Sequence, residues 1–297
     1  MKALADYIHA KGLKFGVYSC AGTMTCQNRP GSRGYEYQDA RTYAEWGVDF
    51  LKYDWCNVGS QDAIASYTTM RDALYKAGRP VVFSICEWGL SKPWLWAKDV
   101  GHLWRTTGDI RNNWDIPDAK EGKVWGGGVI VNFDMQHLLD RFSGPDGWND
   151  PDMLEIGNGA LTVEESKSQM SLWAMLAAPL MAGNDLRNMD ETTKMILTNH
   201  EVIEIDQDPL GKSAKKAIDD GEFEVFVKPL VNNEFSVCFF NRENEEVEID
   251  FDWKRIDISS KYQIRDLWQH KDIGRTNKNF KSKIAEHGII HLKLKPE

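Results

Sequence analysis

The sequence predicts an α/β chain, with a parallel sheet covered by helices over residues 1–209 and a smaller antiparallel β-domain over residues 210–297. Three observations predict it. Short apolar runs alternate with amphipathic stretches through the first two thirds, which is the pattern of βα units feeding a parallel sheet. Gly12, Gly47 and Gly78 each close a helical stretch just before an apolar run, as expected where a helix C-cap takes a left-handed residue. After Asp206-Gln207-Asp208-Pro209-Leu210-Gly211 the apolar period changes to two, which reads as half-buried strands joined by turns.

Residues 1–11 read as a helix stopped by Gly12, and 13–18 as the first strand. A helix over 37–46 is followed by a strand at 48–53, and a helix over 61–77 by a strand at 80–85. A short helix at 94–100, a short strand at 102–105 and a helix over 132–142 come next. Residues 148–154 hold another strand end, and 179–182 a sixth and last short strand. Between them, 163–176 is a helix with Glu164 and Glu165 in its first turn and Thr162 as its cap, where an acidic charge meets the positive end of the helix dipole. In the β-domain, 223–227, 234–240, 247–251 and 288–294 are strands, separated by Asn-Asn and Asn-Arg-Glu-Asn turns.

Composition sets the class. The 297 residues carry 36 Lys+Arg against 45 Asp+Glu, a net charge of −9, with 42% hydrophobic and 27% charged residues. That is an ordinary globular chain with enough apolar content for a sizeable core. The acidic balance and scattered basic residues exclude a nucleic-acid binder. No apolar run approaches the ~18 residues a membrane span requires, and Met1 is not followed by an export leader. Five Cys are too few, and odd in number, for a disulfide scaffold. Cys20, Cys86 and Cys238 read as buried small apolar residues. Trp46, Trp94 and Trp96 read as helix-to-sheet packing, and Met170, Met175 and Met181 as core.

The chemistry-bearing residues gather at C-terminal strand ends: Tyr18-Ser19-Cys20, Lys52-Tyr53-Asp54, Cys86-Glu87-Trp88, Arg105 with Asp109, and Asn149-Asp150-Pro151-Asp152. In (β/α) barrels that rim is where active sites form. Carboxylates with one Arg, Trp nearby and no His fit glycoside chemistry, where one carboxylate attacks or activates water and another protonates the leaving oxygen. Phosphate chemistry lacks its Gly-rich cradle, an acyl-transfer triad lacks a Gly-x-Ser-x-Gly elbow, and none of the seven His stands in a metal-binding pair. Nothing in the pattern requires a metal or an organic cofactor. Two readings remain open at single positions: Asp150 before Pro151 as a turn cap, and Lys52 as an ion-pair partner inside the sheet.

Several ordered motifs carry a family resemblance. Residues 16–26 (GVYSCAGTMTC) with Arg29-Pro30-Gly31-Ser32, Leu51-Lys52-Tyr53-Asp54-Trp55-Cys56, Cys86-Glu87-Trp88-Gly89, Trp104-Arg105-Thr106-Thr107-Gly108-Asp109 and Gly147-Trp148-Asn149-Asp150-Pro151-Asp152-Met153-Leu154 resemble the α-galactosidases of glycoside hydrolase family 27. The resemblance implies a retaining exo-glycosidase that removes terminal α-D-galactosyl residues from oligosaccharides or polysaccharides. It implies that Asp54 is the nucleophile and Asp109 the general acid and base, with carboxyl groups about 5–7 Å apart, near the retaining range. Lys52 and Arg105 would hold sugar hydroxyls, with Lys52 also lowering the nucleophile's pKa by charge proximity. Glu87, Trp88 and Leu90 fall in the specificity loop, Tyr18 and Asp152 resemble further sugar contacts, and Cys26 and Cys56 match the family's disulfide. Alternatives are a related specificity (α-N-acetylgalactosaminidase or β-L-arabinopyranosidase) and a non-catalytic carbohydrate-binding remnant.

The resemblance also implies a (β/α)8 TIM barrel lacking its first two β/α units, followed by an antiparallel β-sandwich. From this follow the expectations of an open sheet edge, little or no galactosidase activity in the isolated chain, and a complementing N-terminal fragment or a homo-oligomer as partner. The disulfide points to a secreted or periplasmic protein.

Overall fold

The computed structural model describes residues 1–120, 122–258 and 261–297. In chain order the elements are α1 (Lys2–His9), β1 (Gly16–Cys20), α2 (Glu36–Trp46), β2 (Phe50–Asp54), α3 (Ala63–Ala77), β3 (Val82–Cys86), β4 (Leu103–Arg105), β5 (Pro117–Lys120), β6 (Lys123–Gly127), α4 (Val129–Asp134), β7 (Trp148–Asp150), α5 (Val163–Leu176), α6 (Glu191–Leu197) and α7 (His200–Asp206). Then come β8 (Lys215–Asp219), β9 (Phe223–Pro229), β10 (Phe235–Asn241), β11 (Val247–Phe251), β12 (Tyr262–Asp266), β13 (Lys271–Arg275), β14 (Phe280–Ile284) and β15 (Ile289–Pro296). The chain forms two compact units, Met1–Gly108 with Asp146–Asp150, and Asp109–Pro145 with Pro151–Glu297.

The first unit is a five-stranded sheet in the order β1-β2-β3-β4-β7, every pair parallel. Helices α2 and α3 end where the sequence predicts, with Gly47 at φ 84° and Gly78 at φ 77°, conformations that cost a residue with a side chain energy. Asp62 caps α3 by accepting the Ala65 amide. Alternate strand residues point into the helix layer, so Leu51, Tyr53, Phe83, Ile85 and Trp104 pack with Tyr43, Tyr67 and Met70. Trp46, Trp94 and Trp96 pack against this same cluster, as expected. At the opposite end of the strands Asp49 accepts from Phe15 N, His9 Nε2 and an Arg79 guanidinium nitrogen at 2.7–2.8 Å.

The second unit carries the α4–α7 helices and a β-sandwich. One sheet has the order β13-β12-β15-β10-β9-β8 and the other pairs β11 with β14. All of these pairings are antiparallel. β11 alternates buried and exposed residues along its length, and its inward Ile249 and Phe251 meet Val237 and Phe239 of β10 in one cluster. α5 begins with a capping box in which Thr162 and Glu165 satisfy each other's backbone amides.

Several expectations are corrected. The sheet has five strands: the sixth, at 179–182, reduces to a single parallel bridge between Leu154 and Ala182. The helix expected over 132–142 is instead α4 followed by a 3-10 turn at Asp140–Phe142, because Leu138 turns the backbone to φ 65° between them. The 94–100 helix is two 3-10 turns, Pro93–Leu95 and Ala97–Asp99. β1, β2 and β3 start two to three residues later than their apolar runs, whereas β4 starts one residue later and β7 starts at Trp148 as expected but stops at Asp150. Met181 is 42% exposed and does not fill the core, unlike Met170 and Met175.

Candidate active site

In the first unit the sheet register lines the strand ends up in rows. Tyr18 pairs with Lys52 and Lys52 with Ser84; one step further, Cys20 pairs with Asp54 and Asp54 with Cys86. Arg105 pairs with Asp150 at the far side. Residues two apart share a sheet face, so Lys52 and Asp54 lie on one face while Tyr53, fully buried, turns into the helix layer.

Asp54 is 6% exposed and held from two directions. Its Oδ2 accepts the Tyr18 phenol at 2.7 Å and its Oδ1 accepts the Trp55 amide at 2.8 Å. Burial first, and the Asp54 carboxylate second, push the Tyr18 phenol well above its ordinary pKa. Tyr18 therefore remains a proton donor at any working pH.

Cys26 and Cys56 form the expected disulfide, Cα–Cα 5.2 Å, joining the loop after β1 to the loop after β2. The Tyr18 hydroxyl lies 3.4 Å from Cys26 Sγ, and the buried Cys20 thiol donates to the Cys56 carbonyl at 3.0 Å. Gly22 packs so closely here that a Cβ would sit 1.9 Å from the Cys56 oxygen. Among the described residues the one group with the right atoms for a metal ion is Cys26, Asp54 and Cys56; its two sulfurs are spent in the disulfide, leaving a single carboxylate. Cys20, Cys86 and Cys238 take no part in the disulfide and are buried, as expected.

Glu87 follows β3 and is fully buried, with Oε2 accepting the Ser91 amide at 2.6 Å. Its Oε1 is buried with no hydrogen-bond partner, and burial raises its pKa to about 7. The loop turns at Trp88 (φ 59°) and Gly89 (φ 78°). A Cβ on Gly89 would meet the Thr106 carbonyl oxygen at 2.3 Å, so only glycine fits. Leu90, expected beside Glu87 at the sugar, is 58% exposed. Arg105 is 1% exposed; its guanidinium donates to the Gly108 and Thr107 carbonyls at 2.5 and 3.2 Å and lies 3.8 Å from Cys86 Sγ. It fixes the loop that leads to residue 108. Asp150 is 8% exposed, and its carbonyl accepts both the amide and the hydroxyl of Thr106.

In the second unit Asp109 begins a segment tied to Asp152. The Ile110 amide donates to Asp152 Oδ2 at 2.9 Å. Asp152 sits at φ 82°, a conformation that costs a non-glycine residue of order 1–3 kcal/mol and persists only where surroundings enforce it. Those surroundings come from α4 and α5. Trp173 Nε1 donates to the Asp152 carbonyl at 2.8 Å, Asn132 donates to the Pro151 carbonyl at 3.0 Å, and the Gln169 amide brackets Met153 and Glu155. Arg111 pairs with Asp118 at 2.8 Å. That hydrogen bond, followed by the nearby charges of Asp118, Asp109 and Asp152, raises its pKa.

The residues that the sequence reading missed are the supports: Ser91, Gln169 and Trp173. Gln169 and Trp173 stood in plain view as polar groups on a helix flanked by core positions.

Carboxylates at the C-terminal ends of parallel strands, one of them clamped by a phenol and an amide, fit the chemistry of a glycoside hydrolase, where such groups exchange a sugar with water. Residues 1–208 match the family model described as alpha galactosidase A, and 220–294 match that of the alpha galactosidase C-terminal beta sandwich domain. An alpha-galactosidase A from Cellvibrio japonicus is 50% identical over 308 residues, covering 100% of this chain and 76% of that protein. An alpha-galactosidase from Cyamopsis tetragonoloba is 43% identical, covering 100% of this chain and 70% of that protein. The crystal structure of alpha-galactosidase I from Mortierella vinacea superposes with a TM-score of 0.95 at 35% identity, over 100% of this chain and 80% of that one. The chain belongs to the α-galactosidase family, glycoside hydrolase family 27, and its α-galactosidase relatives are retaining exo-glycosidases that remove terminal α-galactose. Among the described residues no helix is long and apolar enough to cross a membrane.

Proposed function

We propose that the strand-end residues of this chain belong to a site that hydrolyses terminal α-D-galactosyl groups of oligosaccharides or polysaccharides with retention, with Asp54 as nucleophile and Asp109 as general acid and base. In the first step an Asp54 oxygen bonds to the anomeric carbon as its bond to the leaving oxygen breaks, and Asp109 gives that oxygen its proton. In the second, Asp109 takes a proton from water, the water oxygen bonds to the anomeric carbon, and Asp54 is released. Two inversions restore the α configuration.

The observation that carries this reading is the clamp on Asp54. A nucleophile must present one oxygen along a narrow line of attack, and the Tyr18 phenol with the Trp55 amide fixes both oxygens of a nearly buried carboxylate. Lys52 shares its sheet face and, with Arg105, is assigned to sugar hydroxyls. Trp88 and the exposed Leu90 are assigned to the specificity loop that Glu87 anchors. The Cys26–Cys56 bridge fits a secreted or periplasmic protein.

The test is covalent trapping with a mechanism-based galactosyl reagent followed by peptide mapping. The label accumulates even where turnover is slow, so it reads the chemistry apart from the rate. Label on Asp54 is expected; label on another residue, or binding without labelling, overturns the assignment.

A further inference from the structure

Asp152 does something a sugar contact has no need to do. Its carboxylate is turned onto the peptide that immediately follows Asp109, accepting the Ile110 amide at 2.9 Å. It is held there at φ 82°, 8% exposed, with its own carbonyl gripped by Trp173 Nε1. The flanking carbonyls of Pro151 and Met153 are gripped in turn by Asn132 and Gln169. A segment anchored this many times by α4 and α5 is a rigid post, and what it presents is one acceptor oxygen aimed at the 109–110 peptide. Fixing that peptide plane fixes the backbone torsion from which the Asp109 side chain departs. A general acid misplaced by about 1 Å loses on the order of a hundredfold in rate.

From this geometry we infer that Asp152 is a positioning residue for Asp109, transmitting the rigidity of α4 and α5 to the acid/base through the Ile110 amide. The inference rests on Asp109 being the general acid. It predicts a loss that depends on the leaving group, because a nitrophenolate departs with little protonation whereas a sugar or alkyl alkoxide cannot.

The experiment compares Asp152→Ala, which removes the acceptor, with Asp152→Asn, which keeps an acceptor oxygen and tolerates the left-handed backbone. The first readout is amide hydrogen exchange at Ile110 in the full chain, which needs no turnover. Asp152→Ala is expected to speed it at least about tenfold, and Asp152→Asn much less. The second is kcat/KM for methyl α-galactoside relative to nitrophenyl α-galactoside, with galactose inhibition measured beside it. Asp152→Ala is expected to lower the ratio about tenfold or more at unchanged galactose affinity, with Asp152→Asn restoring part of it. Unchanged exchange at Ile110 overturns the inference. So does an equal loss on both substrates accompanied by weaker galactose binding, which is the signature of a sugar contact. Should Asp152→Ala not fold, Asp152→Gly accepts the same φ without a side chain and carries the same readouts. Asp109→Gly separates the two claims: if it shows no leaving-group dependence, the acid/base assignment fails while the exchange result still reports the Asp152–Ile110 link.

Discussion

The Tyr18 phenol donates a 2.7 Å hydrogen bond to Asp54 Oδ2 across the β1–β2 pair, although the strand register sets Tyr18 beside Lys52. The long aromatic side chain reaches past its own row. It converts a sheet-edge residue, 44% exposed, into one jaw of the clamp on a buried carboxylate.

Tyr18→Phe keeps the ring and removes the donor. Hydrogen bonds to charged groups contribute roughly 1.5–3 kcal/mol, and about 1.4 kcal/mol is a tenfold change in rate. A drop of at least about tenfold in kcat/KM on nitrophenyl α-galactoside is expected, with unchanged circular dichroism. Wild-type kinetics in Tyr18→Phe would show that the clamp is irrelevant to catalysis.

Glu87 makes stability depend on pH. Its folded pKa, raised to about 7 by burial, lies above the ordinary value of 4.5. The folded state therefore binds the proton more tightly, and stability is greatest below about 4.5 and declines as pH rises towards 7. Integrated over that window the loss is about 3 kcal/mol. Glu87→Gln, which cannot ionise, should flatten this decline and be the more stable protein at pH 8. Urea unfolding at pH 4.5 and pH 8 tests it; an equal pH slope in both proteins counts against a buried, ionising Glu87.

The Cys26–Cys56 bridge closes a sequence separation of 30 residues. Chain-entropy arguments give such a loop about 3–4 kcal/mol of stabilisation. Replacing both cysteines with serine should lower the urea midpoint accordingly. It should also weaken catalysis, because Cys26 borders the Tyr18 hydroxyl at 3.4 Å. Lower stability with intact kcat would mean that the bridge acts on the fold alone.

Lys228 is fully buried on β9, with Nζ donating to the Ala174 carbonyl of α5 at 2.7 Å and lying in the field of Asp206 and Asp208. Burial pulls its pKa down and pushes that of Asp206 up. The two charges are coupled through space with no direct hydrogen bond between them, so removing one leaves the other less compensated, whereas replacing both with apolar residues is often neutral. Asp206→Ala should therefore destabilise strongly at pH 6, where Lys228 is charged, and less at pH 9. The double variant Asp206→Leu/Lys228→Met should recover most of the loss. Unfolding free energies of the three proteins check the pattern, and purely additive losses would argue against the pairing.

The resemblance-bearing motifs were legible because each packs several constraints into a few residues. Gly89 must be glycine because the Thr106 carbonyl leaves no room for a Cβ. Cys26 and Cys56 meet because β1 and β2 are neighbours. Thr162 and Glu165 announced the start of α5 through chemistry that needs only four consecutive residues. Less legible were α6 and α7, which at seven residues each are too short to display a helical period, although Asp190 and Asn199 mark their caps. Strands β12 and β14 escaped because their burial patterns are irregular, and β13 because it is exposed along its whole length and carries no apolar face.

The sequence by itself determined the order of βα units, the change of period that opens the β-domain and the identity of the residues at the strand ends, because these follow from local spacing and side-chain chemistry. Only the tertiary structure decided what those residues hold. It turned Asp152 onto the Ile110 amide, sealed Glu87 where ionisation is penalised, and brought the Tyr18 phenol to Asp54. Each of these depends on burial and on partners far along the chain, and a one-dimensional pattern specifies neither.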